Sequence, residues 1–211
     1  MGKLQGGILG IMTGKVGGVV GSTWKDKNTL RSYRASIAVN NTAKAVAAKD
    51  VFSQCVAKAT QINGVIGRDL WQRFEKSQSG YNALVAQFRA AYDDENNFVA
   101  ENLILSKGKI EETIIINKSM EPVRKSITIT WTTATTGYQL PTDIPYVVLM
   151  TADGLVLKAY SGEDFGKTRA SGTITVPNFE HEAEFNKQVY LMFRRADGTM
   201  VSNSVTALAE D

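Results

Sequence analysis

The sequence predicts an α+β fold in three parts: a glycine-rich arm, a small helical region and a C-terminal antiparallel β-sandwich of the immunoglobulin or fibronectin kind. Three observations carry this expectation. Eight glycines fall within the first 21 residues. Between residue 41 and about residue 105, apolar side chains recur every three or four positions. From about residue 106 onward the period drops to two. The parts divide as 1–36, 37–105 and 106–211.

The arm comes first. Each glycine weakens a helix by roughly 1 kcal/mol relative to alanine. A segment in water keeps so many where backbone must approach backbone, or where φ must be positive. Val19–Trp24 and Thr29–Arg34, bridged by Lys25-Asp26-Lys27-Asn28, read as a hairpin. The segment is therefore expected to dock on other polypeptide through Ile8, Gly10, Ile11, Gly14, Gly17, Val19, Val20, Gly21 and Trp24. A competing reading places Gly6, Gly10, Gly14 and Gly18, spaced by four, along one face of a membrane-type helix. Lys15 in the middle and the short apolar length stand against it.

The helical region opens at Asn41 or Thr42, whose side-chain oxygen can cap the first helix. Phe52, Cys55, Val56, Ala59 and Ile62 then mark one buried face. Gly64 and Gly67 interrupt the pattern, and Leu70, Trp71 and Phe74 form a short apolar cluster before the Ser77-Gln78-Ser79-Gly80 break. Tyr81, Leu84, Val85, Phe88 and Tyr92 resume helical spacing up to the polar stretch Asp93-Asp94-Glu95-Asn96-Asn97.

In the last part Ile127, Ile129 and Trp131 alternate with threonines, as on a strand with one buried face. Tyr146–Met150 and Leu155–Tyr160 flank Ala152-Asp153-Gly154, while Val189–Arg195 and Thr199–Val205 flank Ala196-Asp197-Gly198. Asp-Gly between apolar runs is a strong hairpin signal. With Ile114–Ile116 and Ile174–Val176 the count reaches about seven strands in roughly 100 residues, the spacing of a two-sheet sandwich.

Composition narrows the chemistry. One cysteine, Cys55, leaves no internal disulfide, and one histidine, His181, leaves little for a metal ligand set or a Ser-His-Asp arrangement. Thr13-Gly14-Lys15-Val16 is not a phosphate loop, because Leu9 and Val16 stand where that motif needs glycine and Ser or Thr. The segment Glu180-His181-Glu182-Ala183-Glu184 reads as a solvated loop rather than a carboxylate–histidine site. Catalytic residues, metal and cofactor are accordingly all expected to be none. Residues 1–60 hold nine Lys/Arg against two acids, a net +7, while the whole chain carries +3. Such an arm suits an acidic protein surface or nucleic acid. Only Trp24 and Tyr33 are interleaved with the cations and no arginine cluster resembles a base reader, so nucleic acid ranks second. No run of 18 apolar residues marks a membrane span, and glycines with Lys15 break up any leader-like stretch. Synthesis and folding in the cytoplasm are expected.

Gly7-Ile8-Leu9-Gly10, Gly14-Lys15-Val16-Gly17, Val19-Val20-Gly21 and Trp24, followed by Arg31-Ser32, resemble the N-terminal signature of an uncharacterised family abundant in Bacteroidota and in their phages and prophages. Leu105-Ser106-Lys107-Gly108-Lys109-Ile110 is similar to a Ser-x-Gly-x-hydrophobic step before that family's β domain, and Val201-Ser202-Asn203-Ser204 to its last hairpin. Between Ser36 and Asp50 the chain departs from the family's proline-containing Thr-x-x-Gln element. The resemblance brings no catalytic residues. It implies a non-enzymatic virion structural protein of a phage or prophage, attached to head or tail and made in the host bacterial cytoplasm. Its partners are then other virion proteins (capsid, portal or tail components) and further copies of itself, with no membrane. The alternatives are a nucleic-acid-associated protein using the basic arm, or a bacterial envelope or adhesion module.

Overall fold

A computed structural model describes residues 3–5, 10–24, 27–36, 41–71, 78–121, 126–151, 156–177 and 187–208. The chain divides into two compact units, Met1–Val46 and Ala47–Asp211.

The first unit is an antiparallel meander of β1 (Lys3–Gln5), β2 (Ile11–Val16), β3 (Val19–Trp24) and β4 (Lys27–Ser32), in that order across the sheet. The arm is thus four strands rather than one hairpin. The expected pairing of residues 19–24 with the following segment is present, but Trp24 stands opposite Lys27. Lys27 and Asn28 therefore belong to a strand rather than to the expected turn, and Lys25 and Asp26 lie outside the described residues. Gly17 and Gly18 join β2 to β3, and of these two only Gly17 has a positive φ (57°), the pattern of a type II′ turn with glycine first. Gly14 sits in β2 opposite Gly21 of β3, so the glycine-lined helix is not formed over these residues.

The second unit holds most of α1 (Ala43–Ile62). The Ala45 N–H donates to Thr42 Oγ1 at 3.3 Å, the cap expected from the sequence. The buried stripe is Val51, Cys55, Ala59 and Ile62. Phe52, placed on that stripe by its spacing, is 55 % exposed; the stripe begins one residue earlier. Gly64 and Gly67 do not end the helix. The chain continues as a π-helical segment, Asn63–Trp71, that buries Ile66, Leu70 and Trp71. Phe74 and Ser77 lie outside the described residues. After a Ser79 cap, whose Oγ accepts from the Asn82 N–H at 3.2 Å, α2 (Gly80–Ala90) buries Ala83, Leu84, Val85 and Phe88.

Seven strands follow: β5 (Ile115–Glu121), β6 (Ser126–Trp131), β7 (Ile144–Thr151), β8 (Val156–Ser161), β9 (Thr173–Pro177), β10 (Lys187–Arg194) and β11 (Val205–Leu208). They form two antiparallel sheets, β11-β10-β7-β8 and β5-β6-β9. β7 is buried along its whole length, which is why it reads as an unbroken apolar run. Tyr146, Val148, Met150, Tyr190 and Met192 share a core with α1, the π-helical segment and α2. The alternate residues Val147, Leu149, Val189, Leu191 and Phe193 share a second core with Ile127, Ile129, Trp131, Ile174 and Val176 of the three-stranded sheet. The four-stranded sheet is therefore covered on both faces, by helices and by the other sheet.

The helices are tied to this body by polar contacts as well. Trp71 Nε1 donates to the Leu105 carbonyl at 2.7 Å, and Tyr146 donates to Asp69 Oδ2 at 2.9 Å. The second expected hairpin is displaced. Asp197 and Gly198 do make a turn, with Thr199 N–H donating to Asp197 Oδ1 at 2.8 Å. Thr199–Val205 is not a strand, however: Val201 makes only an isolated bridge to Arg194, and the ladder resumes at β11 beside Gln188–Leu191. The Asp153-Gly154 turn lies outside the described residues, although the flanking β7 and β8 pair.

Two sequence-distant motifs interlock in this unit. Ser106 Oγ donates to the Ser202 carbonyl at 2.7 Å, and Leu105 N–H donates to Ser204 Oγ at 3.1 Å. Gly108 N–H donates to Asn203 Oδ1 at 3.1 Å, and Ile110 N–H to the Val201 carbonyl at 3.0 Å. The Ser-x-Gly-x-hydrophobic step and the Val-Ser-Asn-Ser ending thus form one hydrogen-bonded clasp.

Candidate docking surface on the N-terminal sheet

Strand register sorts the first unit's side chains into two faces. Val16 stands opposite Val19 and Val19 opposite Ser32, while Gly21 stands opposite Leu30; these share one face. Lys15 stands opposite Val20 and Val20 opposite Arg31, and alternation along β4 puts Thr29 and Lys27 on that second face. One face is apolar and the other basic.

The apolar residues are open to solvent. On the apolar face Val16 is 41 % exposed, Val19 39 % and Leu30 67 %; Ile11, elsewhere on β2, is 38 % exposed. Among the described residues, no large apolar side chain ahead of Val51 is buried. Three or more strands need a covered hydrophobic face for independent stability. Among the described residues this sheet has the apolar side chains for such a face and no buried core to place them in.

The expected docking residues are spread unevenly over this surface. Ile11 and Val19 are exposed and Val20 is half-buried. Gly10 is half-buried, and Gly14 and Gly17 are exposed, Gly17 in the β2–β3 turn. Ile8 lies outside the described residues; Trp24 is described only by its backbone pairing with Lys27. Gly21 is buried, and a Cβ there would lie 2.1 Å from the Met12 carbonyl oxygen. Its missing side chain admits this chain's own backbone. Val16 and Leu30 belong to the exposed apolar face but were not expected. Strand register alone reveals both, with Val16 opposite Val19 and Leu30 opposite Gly21.

On the second face the Lys15 ammonium lies 3.4 Å from the centroid of the Tyr33 ring. Tyr33 N–H donates to the Gly18 carbonyl at 2.7 Å, which continues the β4 pairing past Ser32. Val20, Arg31, Ser32, Tyr33 and Arg34 line an open cleft of about 460 Å³.

The buried ion pair and the single cysteine of the second unit belong to its interior. Arg169 and Asp143 are both fully buried, with Nε 3.3 Å from Asp143 Oδ2. Arg169 also donates through Nη1 to Thr113 Oγ1, and its guanidinium lies 3.9 Å over the Phe193 ring. Burial pushes the Arg169 guanidinium pKa down, and the neighbouring Asp143 carboxylate opposes that shift. The Cys55 thiol is pushed up by burial within the helical core, the opposite of what a nucleophile needs. Among the described residues no three His, Cys, Asp or Glu side chains gather as metal ligands, and no helix is long and apolar enough to cross a membrane. His181 and its acidic neighbours lie outside the described residues.

Comparison with known proteins identifies the chain by family. No curated protein and no solved structure matches it. A family model matches residues 11–207, which takes in β2 through most of β11 and therefore both units. The protein belongs to that family, a family of unknown function (DUF6266).

Proposed function

We propose that this protein is a non-enzymatic structural component of a phage or prophage particle, docked on neighbouring subunits through its N-terminal sheet. The observation that carries the docking is the exposed apolar face, Val16, Val19 and Leu30, on a sheet without a buried apolar core among the described residues. Contiguous apolar surface of this sort marks contact with another macromolecule. The N-terminal signature's resemblance to a phage-associated family supplies the particle. In this reading the partners are capsid, portal or tail components together with further copies of the chain, and synthesis takes place in the host bacterial cytoplasm.

The same reading makes the two C-terminal sheets an immunoglobulin-like sandwich that projects from, or lies on, the particle. The strand order supports it. Lettered A, B, C, C′, E, F and G, the seven strands partition as A-B-E and C′-C-F-G. That is an immunoglobulin partition in which the strand between C and E pairs with C. Trp131 on the second strand stacks edge-on against Phe193, with ring centroids 5.5 Å apart, inside the shared core.

The test uses a lysogen producing particles, with the gene replaced by variants. Deleting residues 1–24, or making the double substitution V19S/L30S, should leave the second unit folded and remove the protein from purified particles. Incorporation at the unmodified level would defeat the proposal.

A further inference from the structure

We propose that the second face of the N-terminal sheet binds the phosphodiester backbone of nucleic acid, independently of the apolar face. Folding gathers cations that the sequence leaves scattered. Lys15 and Arg31 share one row across the sheet with Val20 between them, and Lys27 lies on the same face four residues before Arg31. Arg34 completes the cleft rim beside Tyr33. All four cations are exposed. The first 46 residues contain one acidic residue, Asp26, so no carboxylate among the described residues of this unit neutralises them.

Spacing selects the ligand. Lys15 and Arg31 stand two strand spacings apart, about 10 Å, and Lys27 lies four positions from Arg31, about 13 Å along the strand. No single phosphate or carboxylate bridges such distances. A polymer with closely and evenly spaced charge does, and duplex DNA carries one per about 1.7 Å of axis. The lining also suits a sugar–phosphate chain. Ser22 and Thr29 present paired hydroxyls on this face, 2.7 Å apart, and such groups commonly contact phosphates alongside Arg and Lys. Lys15 is held against the Tyr33 ring rather than left as a free rotor, which lowers the entropy lost on binding. By register Lys15, Lys27 and Arg31 lie off the face that carries Val16, Val19 and Leu30, so one sheet can hold a protein and a polyanion at once.

The experiment is fluorescence anisotropy of the full-length protein with a labelled 20-base-pair duplex of arbitrary sequence. Four phosphate contacts predict affinity falling about a hundredfold between 50 and 200 mM salt. R31E/R34E should weaken binding at least tenfold at 50 mM salt and lower the log–log salt slope by about 2. V19S/L30S, on the opposite face, should bind as the unmodified chain does, which separates this result from failure of particle docking. Circular dichroism of each variant checks that the fold is kept, and R31K/R34K, with the charges conserved, should retain binding. Binding that ignores salt, survives R31E/R34E, or is matched by polyglutamate of equal charge would overturn the proposal.

Discussion

Asp143 shows how one side chain can hold several elements together. Its Oδ2 accepts from the Leu140 N–H at 2.9 Å and faces Arg169 Nε at 3.3 Å, while Oδ1 lies 3.8 Å from Arg195 Nε. The Arg169 carbonyl in turn accepts from Trp131 Nε1 at 2.9 Å, so the ion pair is wired into the core between the sheets. A buried pair adds little net stability, because desolvating two charges offsets their attraction, but removing one partner strands the other. Asp143→Ala should therefore cost about 3–5 kcal/mol of unfolding free energy. Urea denaturation checks this, and a loss below about 1 kcal/mol would mean that water reaches the guanidinium. None of this was legible in the sequence. Asp143 follows Leu140-Pro141-Thr142 in what reads as a turn, and its partner lies 26 residues away.

At the scale of elements, legibility followed burial on one face. The helical stripe from Cys55 to Ile62, the α2 stripe and the strands β6 and β9 were readable because a half-buried element writes its period into the chain. By contrast β7 and β10, covered on both faces, were readable as apolar runs. Three elements were misplaced for physical reasons. Gly64 and Gly67 looked like breaks, but packing holds the π-helical segment together across them. Thr199–Val205 looked like a strand, but most of it is taken up by the Asp197 turn and the clasp with residues 105–110. The arm's first two strands escaped because glycine and exposed apolar residues leave no alternation for a core to enforce. The clasp itself explains why two short motifs about 95 residues apart occur together. A Cβ at Gly108 would stand 1.9 Å from the Val201 carbonyl oxygen, too close for any side chain. Gly108→Ala should thus lower the melting temperature of the second unit by several degrees, read by circular dichroism, whereas Gly166→Ala, with open space around its Cβ, should act only through its positive φ.

For the whole molecule, the contrast between the two units matters most. The second unit closes two cores around a sheet covered on both faces. The first has four paired strands, an excess of positive charge and no buried apolar core among its described residues. The candidate surface was legible as a region, from glycine density and charge, but not residue by residue. Only strand register sorts Val16, Val19 and Leu30 to one face and Lys15 and Arg31 to the other. Gly21, expected to meet a partner, meets Met12 instead. The account stands or falls on the first sheet being incomplete until something covers it. Hydrogen–deuterium exchange of the full-length chain, free and within assembled particles, measures that directly. Amides of residues 11–32 should exchange orders of magnitude faster than those of β7 and β10 in the free chain, and become protected in the particle. Protection of residues 11–32 in the free monomer equal to that of β7 would contradict it.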